Sequence, residues 1–187
     1  MNDNMLEPHE VLHDVVKRLD KVELDYMLTG SMAMIKYTIP RYTMDVDIVI
    51  TLDSGDVSTI IQTFEPDYYV PHDSVRRAIA RKGMFNIIHY NSSFKIDCIV
   101  KKDNEFQRRT FENRKRINYL DFDVWIIDKE DLIISKLFWA KDSDSEVQMR
   151  DVKNLMRTGY DTEYIKFWTR KLGVYKLFSQ CQKEIEK

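Results

Sequence analysis

The sequence is poor in the features of secreted and membrane-bound proteins. Its 187 residues include only two cysteines, Cys98 and Cys181, whose spacing fits no metal-binding motif. No apolar run is long enough to span a membrane, and the N-terminus lacks the charged and apolar regions of a signal peptide. We therefore expect a cytoplasmic protein, without membrane contact, whose two cysteines are reduced and fill the core.

The chain also lacks a strong excess of charge of either sign. The formal net charge of −2 neither indicates nor excludes a nucleic-acid partner, so local patches must decide. The clearest patch is Lys101–Arg116, with seven basic and three acidic residues. This segment could follow a nucleic-acid backbone, could guide a triphosphate, or could be a solvated connection of mixed charge.

Apolar residues are frequent enough for a packed core, at 43% of the chain. Their spacing predicts an α/β (α+β) fold, with a mixed sheet flanked by helices in residues 1–127 and a helical part in residues 128–187. Strands are expected at Tyr26–Thr29, Met44–Ile50, Met84–Tyr90, Phe94–Val100 and Phe122–Ile127. Helices are expected near Val11–Leu19, Met32–Tyr37, Val57–Phe64, Leu132–Phe138, Asp144–Arg157, Asp161–Leu172 and Val174–Ile185.

One predicted strand carries two carboxylates on the same face. In Met44–Ile50, Asp45 and Asp47 point to one side and the apolar residues to the other. Neighbouring carboxylates repel each other, but a divalent cation can lie between them, and Mg²⁺ commonly takes one or two carboxylates plus substrate phosphates. We therefore expect Mg²⁺ (or Mn²⁺) here, in a site for phosphate chemistry.

A third carboxylate lies in another strand. Asp97 is flanked by Ile96 and Cys98, and an acid in so apolar a strand is costly unless it is paired or metal-bound. If this strand neighbours the strand of Asp45 and Asp47, three carboxylates converge on one place. Such a cluster suits phosphoryl or nucleotidyl transfer, which needs metals, positioned phosphates and an oriented nucleophile.

Several segments together resemble one known superfamily. Thr29-Gly30-Ser31, the run Arg41–Asp47 and Asp97 resemble the nucleotidyltransferase (polymerase-beta-like) superfamily, and within it the AbiEii/AbiGii-toxin-like branch. The helical segment Lys129–Leu137 and the later Arg150–Val152 also resemble that branch, in which a lysine and a downstream aspartate matter. The resemblance covers about residues 24–156.

The resemblance implies transfer of a nucleoside monophosphate from an NTP to an acceptor hydroxyl. It assigns the metals to Asp45, Asp47 and Asp97, with Asp97 also activating the acceptor. Further assignments are nucleotide contacts at Gly30, Ser31, Arg41, Thr43 and Lys136, and a supporting position at Asp151. It also implies an RNA (tRNA 3′ end) or protein acceptor, and an antitoxin protein as partner. The turn departs from the family in having no second glycine.

Plainer interpretations exist for each of these positions. The two aspartates of Asp45–Asp47 could be a solvated strand edge, and Gly30-Ser31 an ordinary turn with Ser31 as a helix cap. Lys136 could be a surface lysine, and Asp151 part of a solvated helix face. The fold could also serve as a catalytically silent, nucleotide-binding regulatory module.

A rival enzyme class comes from the segment His9–His13. Its pattern His-Glu-x-x-His matches zinc metallopeptidases, in which both histidines bind Zn²⁺ and the glutamate, here Glu10, is the base. Pro8 places this motif in the first turn of a helix, where a buried metal site is hard to build, and no further ligand follows at a suitable spacing. A chance match is therefore the favoured interpretation.

Overall fold

The computed structural model describes residues 7–39, 42–92, 94–143 and 145–186. The helices are α1 (Pro8–Lys21), α2 (Val57–Phe64), α3 (His72–Arg81), α4 (Glu105–Glu112), α5 (Lys129–Ser143), α6 (Glu146–Arg157), α7 (Thr162–Lys171) and α8 (Tyr175–Ile185), with a short 3₁₀ helix at Met32–Lys36. The strands are β1 (Tyr26–Thr29), β2 (Asp45–Ile50), β3 (Tyr68–Tyr69), β4 (Met84–His89), β5 (Lys95–Val100), β6 (Lys115–Tyr119) and β7 (Phe122–Ile126).

The seven strands form one mixed sheet in the order β3-β4-β5-β2-β1-β7-β6. β2 runs parallel to β5 and antiparallel to β1, and β1 runs parallel to β7. The predicted α/β class, with a mixed sheet flanked by helices, is confirmed. Because β2 and β5 are neighbours, the condition for bringing the three carboxylates together is met.

The two faces of the central strands differ sharply in burial. In β2 and β5 the apolar residues between the carboxylates are fully or almost fully buried, as Val46, Ile48, Ile96 and Cys98 show. They belong to one core cluster with the apolar stripes of α1, α2 and α3. The other face carries the aspartates and is partly open. Alternation along the strands thus separates a core face from a polar face.

Some elements differ from the sequence-based expectation. Met32–Lys36 is a 3₁₀ helix rather than two turns of α-helix. The helices α3 and α4 and the strand β6 were not predicted, because most of their residues are polar or charged and each helix buries only three side chains. The two-residue strand β3 was not predicted either. In these segments tertiary packing decides the structure more than hydrophobic periodicity does.

The C-terminal helices share the core of the sheet. In α5, Leu132, Ile133, Ile134 and Leu137 are all fully buried, so this helix is enclosed on several sides. The Tyr37 hydroxyl donates a hydrogen bond to the carbonyl of Ile127, at the end of the sheet, at 2.7 Å. The boundary between residues 127 and 128 stays a prediction. Among the described residues, no helix is long and apolar enough to cross a membrane.

Candidate active site

The register of the strands arranges the site residues in rows across the open face. Asp47 is the cross-strand partner of Thr29 on β1 and of Asp97 on β5. Asp97 is in turn the partner of Asn86 on β4. Asp45, one step back along β2, lies opposite Lys95. The predicted convergence of Asp45, Asp47 and Asp97 therefore follows from pairing and alternation together.

Gly30 lies directly against the Asp47 carboxylate. Its φ is +65°, in the left-handed region that favours glycine, and a Cβ built there would lie 1.9 Å from Asp47 Oδ2. Any side chain at position 30 would displace the carboxylate. The glycine is therefore explained by close approach as well as by the turn.

Asp97 is oriented by two polar neighbours. The Asn86 side-chain amide donates a hydrogen bond to Asp97 Oδ1. The Lys95 ammonium lies 3.2 Å from Asp97 Oδ2 and 3.5 Å from Asp45 Oδ1, so it bridges two of the three carboxylates. Neither Asn86 nor Lys95 was singled out from the sequence, although Lys95 was visible as a neighbour on the face of Asp97.

The Asp47 carboxylate lies in an environment that opposes its ionisation. Burial first, and then the negative charges of Asp97 and Asp45, raise the pKa of Asp47 to about 6, against the opposing positive charges of Lys136 and Lys95. A carboxylate of this kind becomes fully charged most readily beside a cation. The electrostatics of the site therefore favour cation binding.

The donor set fits a hard divalent cation that keeps part of its coordination for a substrate. Asp45, Asp47 and Asp97 line one cavity and offer only oxygen ligands. Among the described residues, no group of three or more Asp, Glu, His or Cys side chains is arranged so that it could hold a metal ion by itself, so phosphate oxygens and water would have to supply the remaining ligands. An open arrangement suits Mg²⁺, which commonly uses one or two carboxylates together with phosphate oxygens and water. Lys95 is the positive charge that lies between the carboxylates in this structure.

Lys136 is a buried residue rather than a surface lysine. Its side chain is 3% exposed, and its ammonium lies 2.8 Å from Asp151 Oδ2 and 3.1 Å from Gln148 Oε1. Asp151 is also buried, which excludes a solvated helix face for this residue, whereas Arg150 is exposed. The pair joins α5 to α6 and holds the ammonium at the wall of the cavity.

Most of the remaining predicted nucleotide contacts line the same cavity. Its volume is about 210 Å³, and Gly30, Ser31 and Thr43 belong to its wall. Thr43 Oγ1 accepts a hydrogen bond from the backbone N–H of Asp45 at 3.3 Å. Ser31 makes no side-chain cap of the 3₁₀ helix. Arg41 lies outside the described residues.

The His9–His13 motif does not form a metal site in the described residues. Glu10 is engaged in a capping box, in which its carboxylate accepts from the backbone N–H of Glu7 at 2.7 Å. The His13 ring stacks on Phe122, with 4.4 Å between ring centroids. Packing and helix capping thus account for two of the three residues of the zinc-peptidase pattern.

The basic segment Lys101–Arg116 is largely paired within the protein. Arg114, Lys115 and Arg116 each form an ion pair with an aspartate. Arg109 donates to the Tyr164 hydroxyl at 3.2 Å. These contacts favour a solvated connection of mixed charge over a surface that follows a nucleic-acid backbone.

Sequence comparison places the chain beside one family. A family model described as nucleotidyltransferase of unknown function (DUF6036) matches residues 4–166. No curated protein matches the chain.

Three solved structures with a similar fold are described as an adenylyltransferase, a nucleotidyltransferase-like protein and a putative nucleotidyltransferase. The lincomycin-bound lincosamide antibiotic adenylyltransferase LnuA has a TM-score of 0.53 and 18% identity, over 81% of this chain and 98% of that one. An antigenic nucleotidyltransferase-like protein of Paracoccidioides brasiliensis has a TM-score of 0.53 and 17% identity, over 81% of this chain and 75% of that one. A putative nucleotidyltransferase of Thermotoga maritima has a TM-score of 0.52 and 14% identity, over 78% of this chain and 94% of that one. At such identities these likenesses concern the fold alone, and the AbiEii/AbiGii-like branch stays a prediction.

Proposed function

Because the chain belongs to the DUF6036 family of nucleotidyltransferases, we propose that it transfers a nucleoside monophosphate from an NTP to an acceptor hydroxyl. Pyrophosphate is the second product. The observation that carries the proposal is the cross-strand row Thr29–Asp47–Asp97, with Asp45 beside it. These residues line one cavity together with Gly30 and Lys136. The cofactor is Mg²⁺ (or Mn²⁺).

Asp45 and Asp47 would hold the cation, with Asp97 as the third carboxylate at the site. When bound, the cation would neutralise charge on the transferred phosphate and on the leaving pyrophosphate. The Gly30-Ser31 turn lines the same cavity, and its backbone and the Ser31 hydroxyl would contact the phosphates beside the Asp47 carboxylate. Lys136, held by Asp151, adds a fixed positive charge at the wall of the cavity.

Asp97 is the group placed to receive the proton of the acceptor hydroxyl. Its side chain is 13% exposed, and the Asn86 amide holds Oδ1 in place. The row puts Asp97 on β5 and the Gly30-Ser31 turn at the end of β1, on opposite sides of β2. This arrangement separates the acceptor side from the phosphate side, as in-line displacement requires.

The test is a transfer assay with each α-³²P-labelled NTP, Mg²⁺ and bulk RNA, protein or cell extract as acceptor. We expect labelled product with the wild type and none with the Asp45→Ala/Asp47→Ala variant. Asp73→Ala is a matched control, because that carboxylate is 82% exposed on α3, outside the site. Label that persists in the double variant would overturn the metal assignment.

Other outcomes of this assay identify the alternatives. NTP binding without product for any acceptor would favour the silent regulatory module. Label in tRNA would support the RNA acceptor, and inhibition by a second protein would support an antitoxin partner. Both of these, and the cytoplasmic location, stay predictions from the sequence.

A further inference from the structure

A second cavity opens directly from the first, along the same face of the sheet. Its volume is about 290 Å³, and the two cavities share five lining residues. The shared residues are Thr29, Met84, Ile99, Ser135 and Trp139. The second cavity lies one step further along the strands than the carboxylates, a distance of about 7 Å for two residues of a strand.

The register explains why this second cavity is apolar. The row that follows Thr29–Asp47–Asp97 consists of Met27, Val49, Ile99 and Met84, which are cross-strand partners in that order. These four residues form its floor. The sheet face therefore changes from charged to apolar within a single alternation.

Aromatic side chains from two helices form the walls. Phe106 comes from α4, and Phe138 and Trp139 come from α5. Phe138 and Trp139 are 42% and 50% exposed, so these two neighbouring side chains form an apolar patch at the surface. The exposed Lys102 belongs to the rim.

We propose that this second cavity binds the acceptor, and that the acceptor is a small alcohol with an apolar body. The inference rests on the proposed function. Gly30 and Lys136 line only the first cavity, and Gly30 follows Thr29 at the end of β1. Met27 and Val49, on the floor of the second cavity, lie on the other side of the carboxylate row along the strands. Pyrophosphate that leaves towards Gly30 therefore requires a nucleophile that approaches from the second cavity.

The reaction balances without a further reactant. The alcohol oxygen forms a bond to the α-phosphorus of the NTP, and the bond from that phosphorus to the bridging oxygen of pyrophosphate breaks. The hydroxyl proton passes to the Asp97 carboxylate. When the apolar body of the alcohol lies in the second cavity, its hydroxyl can reach the carboxylate row, which is about 7 Å away along the strands.

The experiment uses 2-phenylethanol as the apolar alcohol and α,β-methylene-ATP with Mg²⁺ as a nucleotide that cannot transfer its AMP. Saturation-transfer difference NMR on the full chain reports alcohol binding with and without the nucleotide. We expect both to bind together. Displacement of the alcohol by the nucleotide would mean that the cavity holds the nucleobase, and it would overturn the proposal while leaving the proposed function intact.

Two variants locate the binding. Val49→Phe fills the floor, and Phe138→Ala removes part of the wall at a residue that lines only the second cavity and is 42% exposed, outside the core. Each variant is expected to lower the affinity for 2-phenylethanol at least tenfold and to leave the affinity for the nucleotide unchanged. Val147→Phe, on the exposed surface of α6, is the matched control. Equal alcohol binding by wild type and Phe138→Ala would also overturn the proposal.

A transfer assay completes the test. With α-³²P-ATP, we expect labelled product from 2-phenylethanol and much less from glycerol, which has hydroxyls but no apolar body. Equal labelling of the two alcohols would contradict the assignment. Failure of the wild type to bind Mg²⁺ with α,β-methylene-ATP at all would instead count against the proposed function.

Discussion

At the scale of single residues, Asp47 is the most constrained position of the site. It lies between Gly30, which leaves no room for a side chain, and Asp97, its partner across the strands. Burial and like charge oppose its ionisation, and a bound cation would relieve this unfavourable interaction. A carboxylate with a raised pKa in a cavity is consistent with the role proposed above for Asp47.

Substitution of Asp47 by Asn should remove transfer activity without loss of stability. The amide keeps the shape but not the charge, so cation binding weakens while repulsion by Asp97 is relieved. We expect a fall in kcat/KM of more than about 100-fold and an unchanged or higher Tm of the metal-free protein. Transfer assays and thermal unfolding by circular dichroism test both parts. Full activity in Asp47→Asn would rule out its role as a ligand.

Lys95 is expected to compete with the divalent cation for the carboxylates. Its ammonium bridges Asp45 and Asp97, so Lys95→Met should lower the Tm of the metal-free protein and tighten Mn²⁺ binding several-fold. Lys95→Arg keeps the charge and should behave like the wild type. Electron paramagnetic resonance measures free Mn²⁺.

The control for Lys95 is Lys115→Met, which breaks an ion pair on β6, at the edge of the sheet beyond β1 and β7. That variant should leave Mn²⁺ affinity unchanged. If Lys95→Met also leaves Mn²⁺ affinity and Tm unchanged, the Lys95 ammonium does not compete with the cation for the carboxylates.

At the scale of elements, buried polar pairs fix how the C-terminal helices meet. Lys136 on α5 pairs with Asp151 on α6, and both side chains are at most 3% exposed. Asp131, also on α5, accepts a hydrogen bond from the Tyr164 hydroxyl of α7 at 2.7 Å. Because unpaired buried charges are costly, these contacts select one packing of the helices over others of similar apolar burial.

The Lys136–Asp151 pair should show strong coupling in a double-mutant cycle. Lys136→Met or Asp151→Leu alone removes one charge of the buried ion pair and should cost about 3–5 kcal/mol of unfolding free energy. The double variant should recover most of that loss, although its transfer activity should stay low. Urea unfolding measures the free energies. Additive losses would show that the two charges are solvated separately.

Asp131 should make stability fall as pH rises. Burial, as the largest cause, raises the pKa of Asp131 to about 6, so the folded protein retains a proton that the unfolded chain releases. Its stabilising contribution is complete below the ordinary carboxylate range and is lost as pH rises to about 6.

The test compares Asp131→Asn with the wild type by urea unfolding at several pH values. The amide still accepts from Tyr164 and never ionises. The variant should therefore gain stability relative to the wild type between about pH 4 and pH 6.5, to about 2 kcal/mol. Asp121→Asn, at an exposed turn, serves as control. A constant difference across pH would refute this account.

At the scale of the whole molecule, one hydrophobic cluster joins the sheet to the C-terminal helices. It contains buried residues from α1 and β2 as well as from α5, α6 and α8. Both cavities are closed on one side by the sheet and on the other by α5. The site therefore depends on both parts of the chain.

Unfolding of the full chain should be a single cooperative transition. Separation of residues 1–127 from residues 128–187 would expose the shared cluster to water, at a large cost in hydrophobic free energy. Far-ultraviolet circular dichroism and tryptophan fluorescence should give coincident urea curves. Two separate transitions would instead support two domains that fold independently.

Much of this protein follows from local sequence. Alternation in Asp45–Ile50 and in Lys95–Val100 determines which side chains share a face, because a strand has a period of two whatever surrounds it. The fold class, most central elements and the superfamily were predicted from such patterns and from the segments around Gly30, Asp45 and Asp97, and they are confirmed.

Only the tertiary structure decided which strands are neighbours and in what register. Pairing of β2 with β5 puts Asp47 opposite Asp97, and the same register produces the apolar row next to it. Packing of α5 against α6 makes Lys136 and Asp151 a buried pair, whereas the sequence had left a surface position open for both. These outcomes depend on contacts between residues far apart in the chain, and local periodicity carries no information about such contacts.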